Sequence, residues 1–90
     1  MALTKTSELS GFLKNARLAK NMTQLEAARA IGHATSQYIS NIERDLCSPS
    51  LEMAVRLADL YEVPKREFYK LMSSIYDFEL RSALFRKRKH

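Results

Sequence analysis

The side chains able to attack, coordinate or shuttle protons are few in this chain, and they stand apart. Cys47 is its one cysteine, and the two histidines, His33 and His90, lie far from it and from each other. Three ligands so far apart do not assemble a zinc site. No Ser/His/Asp or Cys/His grouping has spacing suited to nucleophilic catalysis, and with two glycines in the chain there is no Gly-rich phosphate loop. The sequence therefore predicts no catalytic residues, no metal and no cofactor. His33 reads as an exposed turn residue, Cys47 as a small apolar loop residue, and the four methionines as core filling. What remains is recognition chemistry. Thr23-Gln24, then Thr35-Ser36-Gln37 and Ser40-Asn41, supply hydroxyls and carboxamides that both donate and accept hydrogen bonds.

Helices must position these groups. The first is predicted to open at Thr6-Ser7, either hydroxyl serving as cap, with a core stripe of Leu9, Phe12, Leu13, Ala16 and Ala19 and a stop at Asn21. Thr23-Gln24-Leu25-Glu26 reads as a capping box that opens a second helix, with Leu25, Ala28 and Ile31 inward and Gly32 at its end. A third is expected from Ser36 to about Arg44, capped by Thr35 and buried through Ile39 and Ile42. Ser50 caps a fourth, which carries Leu51, Val55, Leu57, Ala58 and Leu60 and ends before Val63-Pro64. Pro64 suits the first turn of a fifth.

Ninety residues, 46% hydrophobic, allow one compact domain and are too apolar for a disordered tail. The net charge of +5 is unevenly placed: residues 1 to 62 hold seven Lys/Arg against seven acids, and the excess follows Val63, mostly in Arg86-Lys87-Arg88-Lys89. No apolar run approaches the ~18 residues of a membrane span. Met1 to Ser10 has no secretory-signal pattern, and a lone cysteine fits a reducing compartment, so the expected location is a cytosol.

From Leu13 to Pro64 the chain resembles the Cro/lambda-repressor (XRE) family of helix-turn-helix DNA-binding proteins. The resemblance rests on Arg17, Thr23-Gln24, Ala28, Gly32, Ile39-Ser40, Ile42-Glu43, Pro49-Ser50-Leu51 and Val63-Pro64, with one extra residue between Gly32 and Ile39 as in a longer-turn subclass. It implies an all-α, five-helix lambda-repressor-like domain with a C-terminal helical extension. Residues 1–64 would form the DNA-binding domain, with the motif at about 23–43. Small residues at the crossing of helices two and three (Ala27, Ala28, Ala30) allow the steep angle that sets helix three in the major groove. The resemblance places base reading on Ser36, Gln37 and Asn41, with Ser40 beside them; Gln and Asn match the adjacent donor and acceptor of adenine. It places phosphate contacts on Thr23, Gln24, Thr35, Tyr38 and Arg44, although the Tyr38 ring could instead pack along the helix. Arg17 is expected to pair with Glu43. One departure stands out: the loop after helix three, usually opened by Gly and often basic, is here Asp45-Leu46-Cys47-Ser48, and an acid there repels phosphate.

Residues 65–85 carry two apolar stripes. Phe68, Leu71, Met72, Ile75 and Phe78 form one; Tyr69, Tyr76, Leu80, Ala83 and Leu84 form another, rotated by about 100°. One face suits the core and the second suits a dimer, with Phe68, Met72, Ile75, Tyr76, Leu80 and Leu84 as interface candidates. A bent helix, or two short ones folded over the same core, is the alternative. Residues 86–90 are a basic tail, either an added phosphate contact or a solubilising end. The expectation is thus a cytoplasmic bacterial or phage repressor that binds double-stranded DNA as a homodimer on an inverted repeat, its own promoter among the candidates, with no membrane and no small-molecule ligand. The same chain also fits an antitoxin-like module whose last helix holds a partner protein, or a controller of a restriction-modification system.

Overall fold

A computed structural model describes the backbone of residues 5–86 and the side chains of residues 7–77 and Leu84. The described residues form five helices and no strand: α1 (Lys5–Ala19), α2 (Gln24–Ala30), α3 (Gln37–Glu43), α4 (Leu51–Tyr61) and α5 (Lys65–Arg86). The chain is all-α, as its pattern implied. Helix α1 runs through the middle, packing on α3, α4 and α5, while α2 lies on α3 and α4. The side chains of Phe78, Leu80 and Ala83, and the basic run after Arg86, lie outside the described residues.

Leu13, Ile39, Ile42 and Leu57 are the large side chains fully enclosed at the centre. Ala27, Ala28 and Ala54 have no exposed surface at all, so backbones approach closely where α2 and α4 enter the core. Several expected faces are corrected by this packing. Leu25, Leu51 and Val55 turn to solvent, and their places are taken by Ala27, Ala54 and Tyr61. Ala19 and Ala30 are exposed too, so the close crossing rests on Ala27 and Ala28. For Leu25 and Ala30 the cause is length: α2 has seven residues, too few for periodicity to fix the face it turns to its neighbours. Helix α1 also begins a turn early, at Lys5, which puts Thr6 and Ser7 inside it rather than at its cap.

Four helices stop in the same way, with a left-handed residue followed by a backbone bond that reaches back over the last turn. The residues are Asn21 (φ 59°), Gly32 (φ 94°), Asp45 (φ 59°) and Glu62 (φ 55°). The next amides, of Met22, His33, Leu46 and Val63, donate to the carbonyls of Arg17, Ala28, Asn41 and Ala58 at 2.8–3.2 Å. Three of the four lack glycine's freedom, and each of these costs about 1–2 kcal/mol of strain. Side chains offset part of it. The Asp45 carboxylate accepts from the Ser7 and Ser10 hydroxyls of α1 at 2.8 and 3.3 Å. Glu62 accepts from Lys20 at 2.7 Å, and that ammonium holds its carboxyl below the usual range.

Helix α5 is continuous over 22 residues, so the alternative of two short helices is not what forms. Its first stripe covers the core: Ile75 is buried, and Phe68, Leu71 and Met72 pack half-buried beside it, the Phe68 ring 6.3 Å from that of Phe12. Of the interface candidates, Phe68, Met72 and Ile75 are thus engaged within the chain's own core. Of the second stripe, Tyr69, Tyr76 and Leu84 face water, 71%, 57% and 59% exposed.

Candidate nucleic-acid interface

Ile39 and Ile42 anchor α3 by its inner side, each 1% exposed, and this leaves Gln37 exposed and Ser36, Ser40 and Asn41 partly so. These are the four base-reading candidates, gathered on one short helix. Gln37 and Asn41 stand one turn apart and are already joined: Gln37 Nε2 donates to Asn41 Oδ1 at 2.9 Å. Ser36 sits at the N-cap position with helix-like angles (φ −80°, ψ −1°) and makes no side-chain capping bond. Thr35 takes that duty from one residue earlier, its hydroxyl accepting from the Gln37 amide at 3.4 Å.

The phosphate candidates frame this face unevenly. Thr23 closes the expected capping box, its hydroxyl accepting from the Glu26 amide at 3.0 Å while its own amide donates to Glu26 at 2.8 Å. Arg44 is exposed at the C-terminal end of α3, where the helix dipole favours a cation. Tyr38 is half-buried, and its ring stacks on His33 with centroids 4.5 Å apart and planes 8° from parallel. Burial, then the nearby Cys47, pushes its hydroxyl above the ordinary tyrosine pKa. The Tyr38 ring is thus committed to His33, and His33 braces α3 rather than hanging free in the turn. Cys47 is half-buried against the core.

Gln24 is differently engaged: its Nε2 donates to Glu43 Oε1 at 3.0 Å. Glu43 is the hub of a clamp. Arg17 grips it with two bonds, Nε to Oε2 at 2.7 Å and a terminal nitrogen to Oε1 at 3.0 Å, and gives a third to the Met22 carbonyl at 2.7 Å. The two charged side chains are only 9% and 3% exposed. Hydrogen bonding to Glu43 holds the Arg17 guanidinium above its ordinary pKa, against the cost of burial. Tyr61 lies alongside; burial first, and then the charge of Glu43, lift its hydroxyl to about 12. One carboxylate near the end of α3 thereby ties that helix to α1 and to the start of α2.

Two contacts escaped the sequence. The Gln24 amide and Glu43 are 19 residues apart, and Ser7 and Asp45 are 38 apart, so nothing local announces either bond. The Asp45 carboxylate, expected to stand open against phosphate, is instead engaged by the two hydroxyls of α1. Among the described residues no group of His, Cys, Asp or Glu could hold a metal ion, and no helix is long and apolar enough to cross a membrane.

A family model described as helix-turn-helix matches residues 13–68, more than half of the chain. No curated protein and no solved structure gives a significant match. The matched span runs from the middle of α1 to the start of α5 and takes in the clamp, the capping box, the turn at Gly32 and the outward amides of α3. The chain therefore belongs to the Cro/lambda-repressor (XRE) type of helix-turn-helix proteins, a family of DNA-binding regulators.

Proposed function

We propose that this protein is a sequence-specific repressor that works as a homodimer on an inverted-repeat operator. The observation that carries the reading is the outer face of α3: four polar side chains, Ser36, Gln37, Ser40 and Asn41, on a helix whose inner face and end are fixed by Ile39, Ile42 and Glu43. In the major groove those side chains meet base edges, while Thr23, Thr35 and Arg44 face phosphates. Gln24 serves Glu43 first, and Tyr38 supports α3 through His33. Residues 1–64 act as the DNA-binding unit and 65–85 as the dimerisation helix, with Tyr69, Tyr76 and Leu84 against a second copy; the basic residues from Arg86 onward add phosphate contacts. Two copies then read half-sites about 34 Å apart. Such a protein blocks a promoter by occupying it, its own included, and is controlled by concentration.

Selection of bound duplexes from a random pool, at near-physiological salt, tests this directly. A palindromic site supports specific reading and two-fold symmetry together. A single half-site removes the dimer, and no enrichment removes sequence reading. A second reading has its own observation: the exposed Tyr69, Tyr76 and Leu84 also suit a different protein, as in an antitoxin. Replacing Gln37 and Asn41 with Ala separates the two, since a regulator loses sequence preference and a partner-holding module keeps its partner. A controller of a restriction-modification system is a case of the first reading.

A further inference from the structure

We infer that Gln37 and Asn41 act as one reading unit that selects an adenine beside a guanine, tolerates thymine in place of that guanine, and rejects cytosine there. This rests on α3 entering the major groove, as proposed above, and goes further by naming what the face reads. Two carboxamides carry four N–H donors and two carbonyl oxygens. The bond from Gln37 Nε2 to Asn41 Oδ1, at 2.9 Å, engages one donor and one oxygen. Three N–H groups and one oxygen are left, and this count is the same whichever amide donates. The engaged oxygen keeps one lone pair, but having already accepted from its partner it is a weaker acceptor for a base than the free oxygen.

The edges of the bases decide what that inventory fits. Adenine shows one acceptor and one donor in the major groove, guanine two acceptors, thymine one acceptor and cytosine one donor. One N–H and the free oxygen satisfy adenine. Two N–H groups then remain, which match both guanine acceptors, half-match thymine and meet the cytosine amino group donor to donor. Residues one turn apart rise about 6 Å along a helix. The mutual bond draws the two amides together, so they serve neighbouring base pairs rather than separated ones.

The coupling distinguishes this from two amides that read independently. Asn41 is held by Gln37, so loss of Gln37 disturbs both positions, whereas loss of Asn41 disturbs only the second. The test repeats the random-duplex selection with the full chain and with Asn41→Ala, Asn41→Asp and Gln37→Ala, each checked for native helical circular dichroism. The wild type should enrich adenine next to guanine, with cytosine depleted about tenfold at the second position. Asn41→Ala should level the second position alone and Gln37→Ala should level both. Asn41→Asp replaces donors with acceptors and should shift the second position to cytosine while adenine is kept. Cytosine selected by the wild type, a second position unmoved in Asn41→Ala, or a Gln37→Ala profile altered at one position would each overturn the coupling. An unenriched pool with the folded wild type would overturn the proposed function beneath it, a separable result.

Discussion

Breaking the clamp at Glu43 is the sharpest perturbation the fold allows. Glu43→Leu removes the acceptor of three side-chain hydrogen bonds, two from Arg17 and one from Gln24. Arg17 keeps the Met22 carbonyl at 2.7 Å, but its charge stays in a site where its side chain is 9% exposed. Removing one partner of a buried pair costs about 3–5 kcal/mol, because the other charge is stranded. A 90-residue domain holds on the order of 5–13 kcal/mol in all. The melting temperature should therefore fall by about 15–30 °C. Arg17→Met should do much the same, stranding Glu43, which is 3% exposed. Made together, the two changes leave no buried charge. Only the Gln24 amide and the Met22 carbonyl lose a partner, both on partly accessible residues, so the double variant should sit about 1–2 kcal/mol below wild type. Urea titrations of all four proteins, followed by circular dichroism, complete the cycle. If the double variant loses the sum of the two single losses to within about 0.5 kcal/mol, the clamp is not a coupled unit and the reasoning fails.

Three other outcomes follow from the same geometry. Tyr61 is buried with its pKa raised to about 12 against an ordinary 10, so folding favours its neutral form. Stability should be whole below pH 10 and fall by about 2–3 kcal/mol as pH rises from 10 through 12, and Tyr61→Phe should flatten that limb in a pH series of denaturant melts. Asp45→Gly relieves a left-handed residue but surrenders the bonds from Ser7 and Ser10. Its stability should stay within about 1 kcal/mol of wild type, while DNA affinity rises at low salt and the gain shrinks as salt increases, read by fluorescence anisotropy. Thr23→Ala opens the capping box and should cost about 1 kcal/mol in thermal melts.

Much of the scaffold was legible because its signals are local. The capping box at Thr23 and Glu26, the cap at Ser50 and the stops at Asn21 and Gly32 each concern residues within a turn of one another. Arg17 with Glu43, and the outward set on α3, were legible only through resemblance, since no spacing implies a contact across 26 residues. What stayed hidden was decided by tertiary approach. Ala54 and Tyr61 fill the core while Leu51 and Val55 face water, because the way α4 packs on α1 and α2 sets which side is covered. Asp45 looked like an obstacle to phosphate because its partners, Ser7 and Ser10, lie 38 and 35 residues away in the sequence.

The clamp also bears on time. Seven residues are too few to persist as a helix on their own, and α3 has seven. With Glu43 tied to α1 and α2 and with His33 stacked on Tyr38, α3 has no cheap way to unwind while the core stands. Its amides should exchange with solvent only when the whole domain opens. A reading helix that is already formed meets its site without waiting for a folding step, and encounter with DNA is then limited by diffusion and charge rather than by the ordering of the chain.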